Sequence, residues 1–109
     1  MKIRITDHGR ERFKARTRLP LRSIRATVRR AFETGANMAD VDLPVRHHLL
    51  AQNERLRRLR SDANKITLRH LQGCIYVFAD TKKGATLLTV LPLSPDDAKA
   101  VAKYLSEKG

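Results

Sequence analysis

Tryptophan is absent from this sequence, and the only aromatic residues are three phenylalanines and two tyrosines. That supply is too small for recognition by a row of platforms on which successive bases stack. Cysteine is nearly absent as well. Cys74 stands alone, so no internal disulfide can form and no second thiol can share a metal. This fits a reducing compartment and predicts a cytoplasmic location. Apolar runs are short: none approaches the ~20 residues that cross a bilayer, and the opening MKIRITDHG lacks the apolar centre of a secretory signal. Glycine and proline are sparse at five and four residues, which excludes a linker or a disordered tail. A chain of 109 residues that is 41% hydrophobic is therefore read as a single domain over residues 1–109, stabilised by packing alone.

Acidic residues are also scarce. Eleven face twenty-three lysines and arginines, for a net charge of +12. The imbalance is regional: residues 1–30 carry +9, residues 31–45 carry −3, residues 46–70 carry +5 and residues 71–109 carry +1. Two basic zones separated by an acidic stretch imply a built surface, and nucleic acid is the commonest polyanion that calls for one. The few carboxylates form no paired cluster for two-metal hydrolysis. No Gly-x-x-x-x-Gly-Lys loop or Gly-x-Gly-x-x-Gly turn is present to cradle a nucleotide. His47 and His48 are adjacent and point about 100° apart on a helix, so they cannot share a metal. No metal and no cofactor are expected. Cys74 lies in a hydrophobic segment, where an inert buried thiol is expected.

The periodicities set the fold class. KIRIT alternates apolar Ile3 and Ile5 with polar residues, as in a half-buried strand. Asp7 is the expected N-cap of a helix over about residues 8–18, with Gly9 in its first turn. After the RLPLRS connection, Leu21, Ile24, Val28, Ala31 and Phe32 recur at helical spacing, and Gly35 closes this second helix. Val45, Leu49, Leu56 and Leu59 predict a third helix over about 44–60. From Lys65 the period changes to two: ITLRHL, CIYVFA and ATLLTVLPL form an expected antiparallel meander with short turns at Gln72-Gly73 and DTKKG. Ser94-Pro95-Asp96-Asp97 opens a closing helix with Ser94 as cap. The expectation is an α+β, two-layer sandwich: helices on one face of a small antiparallel sheet, followed by a C-terminal helix, with the other sheet face left partly open.

Within the first helix His8, Arg12 and Arg16 are each four residues apart and share one narrow stripe. An imidazole flanked by guanidinium groups suits RNA: histidine moves a proton near neutral pH, arginine grips phosphate, and the RNA 2′-hydroxyl supplies the nucleophile without a metal. The same spacing is equally consistent with three solvated side chains. Arg69, Tyr76 and Thr89 are polar residues in otherwise apolar strands, and each has two readings: a phosphate or base contact projecting from the open sheet face, or an ordinary strand residue. The second is the commoner case for a strand tyrosine with a wet hydroxyl and for a strand threonine. His70 neighbours Arg69 on the opposite strand face. Nucleic-acid contacts are expected from Arg10, Arg16 and Arg18 around the first helix and Arg22, Arg25 and Arg29 on the second. Arg55 and Arg58 on the third helix complete the set.

The run ITDHGRERFKAR, with its His-x-x-x-Arg-x-x-x-Arg spacing, and the later CIYVFADTKKGATLLTVLPL, with its Leu-x-Thr-Val ending, resemble a family of small phage and bacterial proteins. These look like the wider group of barnase-like, colicin-like and RelE-like ribonucleases. The resemblance implies helices against a small antiparallel sheet, metal-independent cleavage of RNA that is free or ribosome-bound, and a toxin paired with an acidic antitoxin or inhibitor. His8, Arg12, Arg69, Tyr76 and Thr89 would then be catalytic. RelE-like toxins draw basic residues from the sheet and often a tyrosine from the C-terminal segment, where Arg69 and Tyr104 stand in this sequence. A non-enzymatic RNA- or DNA-binding protein, phage-regulatory or ribosome-associated, is the competing expectation.

Overall fold

The computed structural model describes residues 3–37, 65–81, 84–93 and 95–108. They form an α+β fold in the order β1 (Ile3–Ile5), α1 (Asp7–Thr17), a 3-10 turn (Leu21–Ser23), α2 (Ile24–Thr34), β2 (Ala36–Asn37), β3 (Lys65–Leu71), β4 (Cys74–Thr81), β5 (Gly84–Pro92) and α3 (Pro95–Lys108). The expected third helix over 44–60 and the Ser94 cap lie outside the described residues.

The start of α1 shows how local chemistry fixes the layout. Thr6, not Asp7, is the N-cap: its Oγ1 accepts from the Gly9 N–H at 2.9 Å and donates to the Leu87 carbonyl at 2.9 Å. One hydroxyl thereby satisfies a free helix donor and ties the helix to β5. Asp7 sits in the first turn, where its charge complements the helix dipole. Gly9 is required by proximity. A Cβ there would lie 2.9 Å from the Leu87 carbonyl oxygen and 3.0 Å from Thr6 Oγ1. Gly9→Ala is therefore expected to destabilise the protein by about 1–2 kcal/mol despite alanine's better helix propensity, read as a lower urea midpoint. Gly35 at the end of α2 follows the same rule. Its backbone is extended, with φ −64° and ψ 147°, and a Cβ there would run into the carbonyl oxygens of Ala31 and His70.

The sheet order is β1-β5-β4-β3-β2. The meander β3-β4-β5 is antiparallel as its alternation predicts, and Gln72 and Gly73 both have positive φ, as a two-residue hairpin turn requires. The sheet as a whole is mixed, because β1 pairs in parallel with β5, with Ile3 opposite Ala85 and Ile5 opposite Leu87. A bulge in β5 places Thr89 opposite Val77 but Leu87 opposite Phe78, leaving Leu88 as the extra residue. This is why Leu87 and Val90, three apart, face the same core.

The expected two layers become three. Phe13 from α1 and Ile24, Val28 and Ala31 from α2 pack on Tyr76, Phe78, Leu87 and Val90. Val101, Tyr104 and Leu105 from α3 pack on Leu68, Ile75 and Val77, which belong to the opposite face of the same strands. Both faces of β4 are thus buried, and Cys74 to Ala79 form an unbroken buried run. A strand covered on both sides reads as continuous apolar sequence. CIYVFA has that character, and the face expected to stay open is closed by α3. Among the described residues, no helix is long and apolar enough to cross a membrane.

Candidate nucleic-acid interface

Gly9 and Phe13 are the buried residues of α1, so the helix rests on one narrow contact line and presents two flanks. On one flank stand His8, exposed, and Arg12 and Arg16, both partly buried. The stripe expected from the sequence exists, but its last member is engaged. Arg16 Nη1 donates to the Val90 carbonyl at 2.6 Å, and the Arg16 carbonyl receives the Cys74 thiol at 3.8 Å. Arg16 therefore ties the end of α1 to the end of β5. The Cys74 thiol is pushed up by burial, partly offset by the Arg16 charge. That combination keeps the sulfur protonated and unreactive.

On the other flank stands Arg10. It follows His8 by two residues, which rotates it about 200° around the helix. There it meets the sheet edge and α2. Ile3, Arg4, Ile5, Arg10 and Arg25 line an open groove of about 290 Å³. A smaller recess of about 60 Å³ shares Ile3, Ile5 and Arg25 and adds Val28 and Arg29. Four arginines thus line these two adjoining spaces together with two isoleucines and a valine, and no acidic residue lines either one. Glu33 lies 3.8 Å from Arg29 one turn along α2, with both side chains more than half exposed. A pair so exposed is worth only a few tenths of a kcal/mol and leaves Arg29 free to exchange partners.

The remaining arginines of this end are also exposed. Arg18 holds φ 60° as the left-handed C-cap of α1, and Arg22 lies in the 3-10 turn that leads into α2. Arg22, Arg25 and Arg29 recur every three or four residues and so form one stripe. Arg55, Arg58, His47 and His48 lie outside the described residues. Arg4 was missed by sequence reasoning. Its signal was its place between Ile3 and Ile5 in an alternating strand, but only the parallel pairing with β5 puts that strand at the sheet edge beside Arg10 and Arg25.

Of the two readings of the strand residues, the structure shows the packed one for Tyr76 and Thr89 and removes the open face for all three. Tyr76 is 2% exposed, with its ring centroid 6.5 Å from that of Phe13 under α1. Arg69 is directly opposite Tyr76 in the ladder, on the face that α1 and α2 cover. Its Nη1 donates to the Gly35 carbonyl at 3.3 Å, while its buried Nε has no partner among the described residues. Thr89 is 4% exposed and opposite Val77, on the face covered by α3. The physical reason is the third layer: with helices on both faces, a polar residue in the central strands becomes a core or rim residue. His70 is opposite Ile75 in the ladder, on the other face of the strand from Arg69, and its Nε2 accepts from the Gly73 N–H at 3.2 Å, while burial lowers its basicity. No hydrogen bond links His8, Arg12, Arg69, Tyr76 and Thr89 to one another among the described residues.

Burial pushes the Tyr76 hydroxyl up to about 12. The folded state thus holds this proton more tightly than the unfolded chain, whose tyrosine titrates near 10. Its contribution to stability is complete below about pH 10 and is lost as pH rises toward 12. Urea midpoints measured from pH 8 to 11.5 should fall above pH 10, and Tyr76→Phe should flatten that decline.

No protein-family model matches this chain, and neither curated proteins nor solved structures gave a match.

Proposed function

We propose that this protein binds nucleic acid through the phosphate backbone, using the arginine-lined groove between β1, α1 and α2. The observation that carries the reading is that Arg4, Arg10 and Arg25 line one groove and Arg25 and Arg29 the recess adjoining it, with no acidic residue lining either. Guanidinium groups donate in pairs to phosphate oxygens and stay charged at any accessible pH. Arg18 and Arg22 extend the basic surface along the connection between the helices. With no aromatic side chain in the groove lining, affinity comes from charge, and the sequence of the bound strand matters little.

This favours the binding module over the ribonuclease. Cleavage by 2′-hydroxyl attack needs groups to take and give a proton on either side of one phosphate. His8 lies on the flank of α1 opposite Arg10, and the hydroxyls of Tyr76 and Thr89 belong to buried residues on two different sheet faces. One experiment separates the two. Labelled 20-nucleotide RNAs of unrelated sequence are incubated with the protein in excess chelator, and both anisotropy and strand length are read. Binding of every RNA with similar affinity and full-length recovery is the expected result. Shortened RNA, with shortening abolished by His8→Ala, would restore the ribonuclease, and absence of binding would remove both.

A further inference from the structure

The groove has a second chemical character that nucleic acid does not use. We infer that the outer edge of β1 accepts an extended acidic segment of a partner protein as an added strand. β1 is terminal in the sheet order and pairs with β5 on one side only. Among the described residues no strand pairs with its other side, where backbone N–H and C=O groups form a template for a further strand.

The side chains of β1 specify what such a strand would carry. Ile3 and Ile5 pack toward the helix-side core, and Arg4, between them, is exposed and belongs to the opposite side of the strand. An added strand alternates in the same way. One set of its side chains would lie over Ile3, Ile5 and Val28 beside Arg10 and Arg25; the other set would lie alongside Arg4. The first set meets mainly the isoleucine floor and the second meets Arg4, so the fitting segment alternates small apolar and acidic residues. A polynucleotide has no amide ladder for this edge and no flat contact for the isoleucine floor other than its bases.

A second copy of this chain is disfavoured as the occupant. Edge-to-edge pairing would bring Arg4 and Arg25 of each copy near their counterparts in a protein of net charge +12, and like charges so juxtaposed oppose association. An acidic partner has the complementary sign. The inference rests on the strand edge and the isoleucines and does not require the nucleic-acid reading. Because both ligands would use Arg10 and Arg25, they would compete for the groove.

The test uses a fluorescein-labelled heptapeptide of alternating glutamate and valine, capped at both ends, titrated with the full chain at low salt and read by anisotropy. Two further peptides carry N-methyl groups on alternate residues, one version for each edge, which keeps the charge and removes the pairing donors of that edge. The expected result is binding of the parent peptide, with one methylated version at least tenfold weaker. Arg4→Glu combined with Arg25→Glu, checked for unchanged circular dichroism, should also weaken the parent at least tenfold. Equal binding of all three peptides would overturn the inference by showing attraction through charge alone. No binding of the parent peptide while labelled RNA binds would also overturn it, and would leave the nucleic-acid reading standing.

Discussion

Arg10→Glu combined with Arg25→Glu should lower affinity for a single-stranded RNA about 100-fold at low salt, roughly tenfold for each phosphate contact replaced by a repelling carboxylate. The two arginines come from different helices and line the same groove, so reversing both changes its sign on two sides. Both side chains are exposed. Exposed substitutions of this kind usually change stability by no more than about 0.5 kcal/mol, so the thermal midpoint should hold. His8→Ala with Arg12→Ala, on the opposite flank of α1, should change RNA affinity by less than about threefold. Anisotropy titrations of the two double variants under one buffer make the comparison.

Phe13→Ala should cost about 3–5 kcal/mol, the range for deleting a fully buried phenylalanine. Phe13 is 0% exposed, and apart from Gly9 it is the buried residue of α1. The helix is otherwise held by Thr6 at its start and Arg16 at its end. Removing the ring opens a cavity over Tyr76 and takes away the fully buried apolar anchor of the helix. A domain of this size has about 5–15 kcal/mol of stability in total, so the loss is a large share of it. Urea unfolding should show the midpoint falling sharply. RNA binding should fail under conditions where the variant is unfolded, because Arg10 is then no longer held beside Arg25.

The local elements were legible in the sequence because each carries its own period. The Ile3/Ile5 alternation, the Ile24/Val28/Ala31 stripe and the positive-φ turn at Gln72-Gly73 all appear where the residues place them. The assembly of those elements was less legible. Whether α3 covers the same face as α2 or the opposite one depends on the connection out of β5. The clue was the unbroken apolar run CIYVFA, which suits a strand buried on both faces better than one with an open side. The bulge at Leu88 hid the face of Thr89, since simple alternation does not survive an extra residue.

The site was half legible for a related reason. Regional charge points to the basic N-terminal third, where Arg10 and Arg25 line the groove and Arg29 the recess adjoining it. The stripe His8/Arg12/Arg16 carries chemistry suited to RNA, yet spacing alone cannot say which flank of a helix meets a groove. Arg16 is drawn inward by the Val90 carbonyl, a contact 74 residues away in sequence. Arg4 entered the site through a parallel pairing of similar range that no local pattern encodes.

Affinity for an RNA strand of arbitrary sequence, measured across a series of salt concentrations, bears most directly on the groove as a phosphate-backbone site. Four arginines engaging four phosphates of a single strand predict a log–log slope of about −3, at roughly 0.7 per contact. A slope near zero, or binding that survives molar salt, would contradict it.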